Sequence, residues 1–141
     1  MLVYLTSSDR NPAGYKTIAN VMELSRGVDD SEAREIICED FLSSFPLSDV
    51  PNVLNLIVQK LRMGGKLAIT EKDFKLISLG IHRESVDLSM TNAAIFEDNA
   101  SLKSILTCEL VESFLESHPG LMVVSKGYET ISFTIILERT L

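Results

Sequence analysis

The chain has 141 residues, 45% of them hydrophobic and 23% charged, which suits one folded domain spanning 1–141 and excludes a disordered chain. A net charge of −7 and a pI near 4.8 repel phosphate backbones, and no three Lys or Arg are consecutive, so nucleic acid is not an expected partner. No stretch approaches the ~20 apolar residues of a membrane span, and the apolar start Met1-Leu2-Val3-Tyr4-Leu5 lacks the basic region of an export signal.

Leu2-Val3-Tyr4-Leu5 reads as a short buried strand, ended by the polar turn Thr6-Ser7-Ser8-Asp9-Arg10-Asn11-Pro12. A second apolar piece, residues 17–22, follows Gly14. Residues 23–30 are polar, contain Gly27, and read as a loop. Asp30 and Ser31 are placed to cap a helical turn through Glu32-Ala33-Arg34, leading into Glu35-Ile36-Ile37-Cys38 as another buried strand.

After Phe45-Pro46 comes the cap-like Ser48-Asp49-Val50-Pro51, with proline in the first turn of a helix, where its missing N–H costs nothing. Leu54, Ile57, Val58 and Leu61 then form an apolar stripe at i, i+3, i+4 and i+7 that must face a core. Gly64-Gly65 is expected to end this helix, because glycine reaches the left-handed conformation cheaply. Lys66-Leu67-Ala68-Ile69-Thr70 follows as a strand, completing a βαβ unit.

Phe74, Ile77 and Ile81 mark another helix, and residues 88–96 a short one. Residues 107–117 place Leu110, Val111, Phe114 and Leu115 on one helical face, with Thr107 as N-cap. Pro119-Gly120 breaks that helix. A strand at 121–125, a turn at Lys126-Gly127-Tyr128 and a strand at 131–137 close the chain, the last alternating Ile131, Phe133, Ile135 and Leu137 against Ser132 and Thr134. The expected fold is a three-layer α/β sandwich with a mostly parallel, Rossmann-like sheet of about six strands and a C-terminal antiparallel hairpin. Cys38 and Cys108 both sit in apolar surroundings and read as two buried free thiols of a reducing interior, so the expected compartment is the cytoplasm.

Residues 30–69 carry a resemblance. Glu35-Ile36-Ile37-Cys38, Asp40-Phe41-Leu42, Phe45-Pro46, the amphipathic helix and Lys60-Leu61-Arg62-Met63-Gly64-Gly65-Lys66-Leu67 resemble the second half of class I S-adenosylmethionine-dependent methyltransferases. Asp73 matches an acidic residue that follows the fifth strand there, and the C-terminal hairpin is similar to the sixth and seventh strands. Val3-Tyr4-Leu5-Thr6-Ser7-Ser8 falls on the family's glycine-rich first loop, and Gly14-Tyr15-Lys16-Thr17-Ile18-Ala19 on the segment that ends the second strand.

The departures fall on ligand-facing positions. Thr6 and Ser8 stand where the family has glycines, Ala19 stands where an acid grips the ribose, and Ser43-Ser44 replaces a Glu-His pair. The third strand is shortened or missing. On the resemblance, Thr6, Ser7, Ser8, Asp9, Ala19 and Asp40 are the cofactor-facing positions. A glycine loop allows positive φ and close ligand approach. Forcing threonine there costs roughly 1–3 kcal/mol, and losing a charged hydrogen bond a further ~1.5–3 kcal/mol. Together these weaken binding by roughly 10² to 10⁴.

Other candidates are bland. His82 and His118, with the two cysteines, show no metal-ligand spacing and read as surface residues; no metal is expected. Ser7-Ser8-Asp9 lacks a partner histidine and reads as a plain turn. Glu39, Asp40 and Asp73 read as solvated loop carboxylates, and Tyr15 and Tyr128 as packing residues. The resemblance implies a compact member, of a kind carried by bacteriophages, with weak or no S-adenosylmethionine binding. It would act as a binding or assembly module for an unknown protein partner or for itself, in the host cytoplasm if viral. The alternatives are an active methyltransferase on an unknown acceptor, with Asp9, Glu39 or Asp40 compensating, and a module for another small ligand at the same sheet edge.

Overall fold

The computed structural model describes residues 1–97 and 102–141. Six strands form one sheet in the order β2-β1-β3-β4-β6-β5: β1 (Leu2–Thr6), β2 (Lys16–Ile18), β3 (Ala33–Glu39), β4 (Leu61–Lys72), β5 (Leu121–Glu129) and β6 (Ser132–Arg139). The first four pair in parallel, and β6 joins β4 and β5 antiparallel. This is the expected α/β architecture with its antiparallel closing hairpin. β2, only three residues long, ends the sheet on one side, with no further strand beyond it among the described residues.

Alternation along the strands sorts the two faces. Val3, Leu5, Ile36, Cys38, Leu67, Ile69, Phe133, Ile135 and Leu137 are buried on one of them. Three helices cover that face: α1 (Val21–Gly27), α2 (Val50–Lys60) and α5 (Cys108–Leu115), with α2 packed between the other two. Registered residues on the opposite face, such as Ile37, Ala68 and Ile136, are only half-buried. α3 (Phe74–His82) and α4 (Leu88–Asn92), followed by a π-helical turn at Ala93–Glu97, come between β4 and α5.

Both cysteines are buried and free. Burial pushes the Cys108 thiol up to about 11 and holds that of Cys38 well above its ordinary value, so neither is a ready nucleophile.

Local signals that rest on caps and stripes reappear as read. Leu54, Ile57 and Val58 are buried on α2, while Leu61, read as the end of that stripe, is buried as the first residue of β4. Thr107 accepts the Leu110 N–H at the start of α5. Several boundaries move, each for a physical reason. The polar stretch read as a loop at 23–30 begins within α1, because the Asn20 side chain caps it by accepting from the Glu23 N–H and Leu24 buries itself completely. The helical turn expected at 32–34 is absent: Ser31 takes a left-handed φ of 59°, its N–H goes to the Gln59 carbonyl, and β3 starts at Ala33. The hairpin turns at Thr130 and Ile131, not at Lys126-Gly127-Tyr128, with Glu129 paired to Ser132 and Thr130 at φ 51°.

The largest correction concerns Gly64-Gly65. They do not end α2; the helix stops at Lys60, and Leu61 already pairs with Ala33 in β4. Arg139 donates to the Val58 and Leu61 carbonyls, supplying the positive charge that a helix C-terminus favours. The glycines instead lie where the β3–β4 register shifts between Ala33 and Glu35. Gly64 takes φ +73°, and a Cβ on Gly65 would lie 2.8 Å from the Arg62 carbonyl oxygen and 3.0 Å from that of Ala33. Bulges of this kind bend a strand and set where regular pairing resumes.

Gly65→Ala therefore forces backbone to move and is expected to lower stability by about 1–3 kcal/mol in urea unfolding. Gly127→Ala, where an added Cβ meets nothing within 4 Å, should change it by less than about 0.5 kcal/mol.

Candidate functional site

The order β2-β1-β3-β4 means that the chain leaves β1 toward one edge of the sheet and returns to the other side of β1 for β3. Open α/β sheets bind ligands at such a reversal, outside the C-terminal ends of the strands. The crevice here is bounded by the loop after β1, residues 7–10, and by Glu39 and Asp40 at the end of β3.

This crevice is bridged by the protein itself. Ser7 Oγ donates to the Asp40 carbonyl at 2.7 Å. Arg10 forms an ion pair with Glu39, and Tyr4 donates its hydroxyl to the other Glu39 oxygen at 2.7 Å. Burial and that bond to a carboxylate raise the Tyr4 pKa. Arg10 is two-thirds exposed, so water screens its pair heavily; its effect is to fill space.

The loop also satisfies itself. Thr6 ends β1, almost wholly buried, and its Oγ1 accepts the Ser8 N–H at 3.1 Å and lies 2.9 Å from Ser8 Oγ. Ser8 Oγ in turn accepts the Arg10 N–H at 3.3 Å. Neither Thr6 nor Ser8 has positive φ, so the strain expected for a threonine in a glycine loop is not incurred: the loop follows a different path, one that hydroxyl side chains stabilise. Ser8 and Asp9 are exposed. Ala19, at the end of β2, is exposed as well, and its N–H faces Glu23 Oε2 at 3.5 Å.

Asp40 has φ 51°, a conformation that aspartate tolerates better than most residues. Its N–H bonds the Thr70 carbonyl, and Lys72 Nζ lies 3.8 Å from its carboxylate. Asp40, Ser43, Lys72, Phe74, Ile77 and Leu106 help to line a cavity of about 20 Å³, room for about one water. Ser104 also lines it, and its buried Oγ has no hydrogen-bond partner among the described residues, so one water there would satisfy it.

Two buried carboxylates stand beside this cavity. Asp73, expected as a solvated loop residue, is 1% exposed and joins two helices. Its Oδ1 accepts the Lys75 and Leu76 N–H groups at the start of α3, and its Oδ2 the Cys108 N–H at the start of α5. Orphan helical N–H groups are what a carboxylate caps best. Glu71, which the sequence reading did not single out, is also 1% exposed and accepts from Ser43 N at 2.7 Å and Ser43 Oγ at 3.3 Å. Burial pushes its carboxyl up to about 8, so it is protonated at neutral pH. Its signal was present in the strand alternation, since Leu67, Ile69 and Glu71 share the inward face.

Tyr15 donates to Glu35 at 3.1 Å. His82 is exposed and His118 half-buried. No three His, Cys, Asp or Glu among the described residues gather as metal ligands, and no helix there is long and apolar enough to cross a membrane.

No family model and no curated protein matches the chain in sequence. Solved structures match in fold. A SAM-dependent methyltransferase from Archaeoglobus fulgidus aligns with a TM-score of 0.58 at 10% identity, over 89% of this chain and 68% of that one. A SAM-dependent methyltransferase from Thermotoga maritima, described as a possible histamine N-methyltransferase, gives 0.58 at 15%, over 91% and 65%. An O-methyltransferase family protein from Burkholderia thailandensis gives 0.60 at 16%, over 89% of this chain but 36% of its own. The chain has a class I methyltransferase-like fold. At such identities the likeness is one of fold alone.

Two expectations test the buried carboxylates. Asp73→Ala abandons three backbone donors and should cost about 2–4 kcal/mol in chemical denaturation. For Glu71, the folded protein keeps a proton that the unfolded chain releases between pH 4.5 and about 8. Its contribution to stability is therefore fully present below pH 4.5, is lost as pH rises through that window, and levels off above it. Glu71→Gln, which keeps an acceptor for Ser43, should gain roughly 2–5 kcal/mol on the parent between pH 4.5 and pH 9, measured as the difference between two denaturation series.

Proposed function

We propose that this chain is a methyltransferase-fold module that does not use S-adenosylmethionine and serves in binding or assembly. The observation that carries this reading is the self-satisfied loop: the Ser8 and Arg10 N–H groups that would meet a ligand are already bonded to Thr6 Oγ1 and Ser8 Oγ. The residues present do not fit the cofactor. Ala19 offers no carboxylate for a ribose, and Ser7, Arg10, Glu39 and Asp40 bridge the gap in which it would lie. Binding would have to break these contacts and re-form the loop, adding to the loss of the ribose hydrogen bond of ~1.5–3 kcal/mol.

The proposal extends to a phage-type origin and a place in the cytoplasm of a host.

The test is thermal denaturation with S-adenosylmethionine and S-adenosylhomocysteine. A ligand present at 100 times its Kd stabilises the folded state by about 2.7 kcal/mol, a shift of several degrees for a domain of this size. The expected outcome is no shift at millimolar cofactor. A clear saturable shift would sink the reading and favour an active methyltransferase on an unidentified acceptor.

A further inference from the structure

Ser43 is bonded in two directions. Its N–H and hydroxyl go to Glu71, at 2.7 and 3.3 Å. Its carbonyl accepts the N–H groups of Lys103 and Ser104, at 2.7 and 3.1 Å. One residue thus joins a buried carboxyl of β4 to a segment far along the chain.

That segment, residues 102–106, is a strap over the small cavity described above, which Leu102, Ser104, Ile105 and Leu106 help to line. Its ends are held unequally. Leu106 is fixed: it is 2% exposed, its carbonyl takes the Phe74 N–H, and it bridges to Asp73. Ahead of it, the two bonds to Ser43 are the only backbone bonds of residues 102–105 among the described residues. Lys103 and Ile105 are exposed, and Ser104 Oγ is buried without a partner there. A segment with so few bonds and so little buried surface opens at a fraction of the free energy that unfolds the sheet.

We propose that Ser43 is a proton-controlled latch: loss of the Glu71 proton releases the turn Leu42–Ser44 and, through the Ser43 carbonyl, the strap 102–106 over the cavity. The latch does not depend on whether the β1–β3 crevice takes a cofactor.

The geometry gives the reason. Glu71 lies on the core face of β4 with Phe133 opposite it on β6, and an anion in so dry a place must find water. The nearest way in is the cavity, which Ser43 also lines and which has room for about one water. Moving Ser43 opens that way, and the strap hung on its carbonyl moves with it.

The surrounding groups leave Glu71 as the one that titrates. Burial raises its carboxyl most, the Ser43 N–H lowers it, Asp40 at the end of β3 raises it and the neighbouring Lys72 lowers it, for a result of about 8. Cys38 on β3 is held well above its ordinary value by burial and by Glu71 itself, so its thiol keeps its proton through neutral pH. Asp73, two residues on, is engaged by the helix N–H groups that it caps. The closed strap therefore retains a proton that the open one gives up above pH 4.5. Opening should rise about tenfold per pH unit between pH 4.5 and about 8 and level off beyond.

The test is amide hydrogen exchange followed residue by residue by NMR, with protection taken against the unfolded-chain rate at each pH. At about pH 5.5 the Lys103 and Ser104 amides should be protected, but less than those of Leu67 and Ile69 in β4. By about pH 7.5 their protection should fall roughly a hundredfold. In Glu71→Gln, which keeps an acceptor for Ser43 and cannot ionise, it should change by less than about twofold over the same range. The Glu23 amide, capped by Asn20 at the start of α1, should show no slope in either protein. Strap protection that is independent of pH in the parent, or that falls as steeply in Glu71→Gln, overturns the proposal. So do strap amides protected as well as the sheet, which would open only with the whole domain, and an equal slope at Glu23. Failure here leaves the thermal result with S-adenosylmethionine untouched, and a saturable thermal shift leaves the exchange result standing.

Discussion

The carboxylate of Asp73 is the point through which the sheet, two helices and the closing hairpin are joined. It sits just past β4, the strand at which the parallel half of the sheet meets the antiparallel half. Its side chain starts α3 and α5 together, and its own N–H is given to the Ile131 carbonyl at the hairpin turn. The N-termini of both helices are thereby turned toward one buried anion, which the two partial positive ends stabilise together. A carboxylate so engaged has no free face for chemistry. Its match to an acidic position of methyltransferases is a match of place, and its role in this chain is structural.

The same economy runs along the C-terminal edge of the parallel strands. Polar residues along this edge bond to the protein itself. Ser7 ties the first loop to β3, Glu39 accepts from Tyr4 and Arg10, and Ser43 donates twice to Glu71. None of these bonds is strong alone, since net contributions of about 1 kcal/mol are usual. Their weight comes from where they stand: together they join the first loop, β3 and β4 along one end of the sheet.

How much of this was legible in the sequence depended on the range of the signal. The apolar stripe of α2, the Thr107 cap and the alternation of β6 are set by neighbours within a few residues, and each reappears where the pattern put it. Gly64-Gly65 failed because a glycine pair serves a helix end and a strand bulge equally well; what decides is Arg139, remote in sequence, taking the helix carbonyls first. α1 was missed because its inward row, Val21, Leu24 and Val28, is a single residue per turn set among polar neighbours. Thr6 and Ser8 were legible as losses of glycine but not as a new bonding pattern, which needs the backbone path. Asp73 and Glu71 are a similar pair: burial comes from segments such as 43 and 107–108, far along the chain, and only the inward parity of Glu71 betrayed it.

That parity has a wider consequence. A carboxyl group on the core face of a central strand is costly unless it stays neutral or finds donors, and Glu71 meets both conditions. Leucine would pack there without the ionisation penalty, yet it could not accept the Ser43 N–H, and an unsatisfied buried donor itself costs about 1–3 kcal/mol. Ser43 lies in the short 3-10 turn Leu42–Ser44, whose Leu42 is fully buried and whose partner residues Phe41 and Phe45 meet edge to face at 5.2 Å. Glu71 thus holds in register the segment that carries the chain from β3 toward α2. Ser43 is thereby an anchor, bonded through both its N–H and its hydroxyl to the strand that follows α2. The polar bonds of the interior thus fix the path of the chain between β3 and β4.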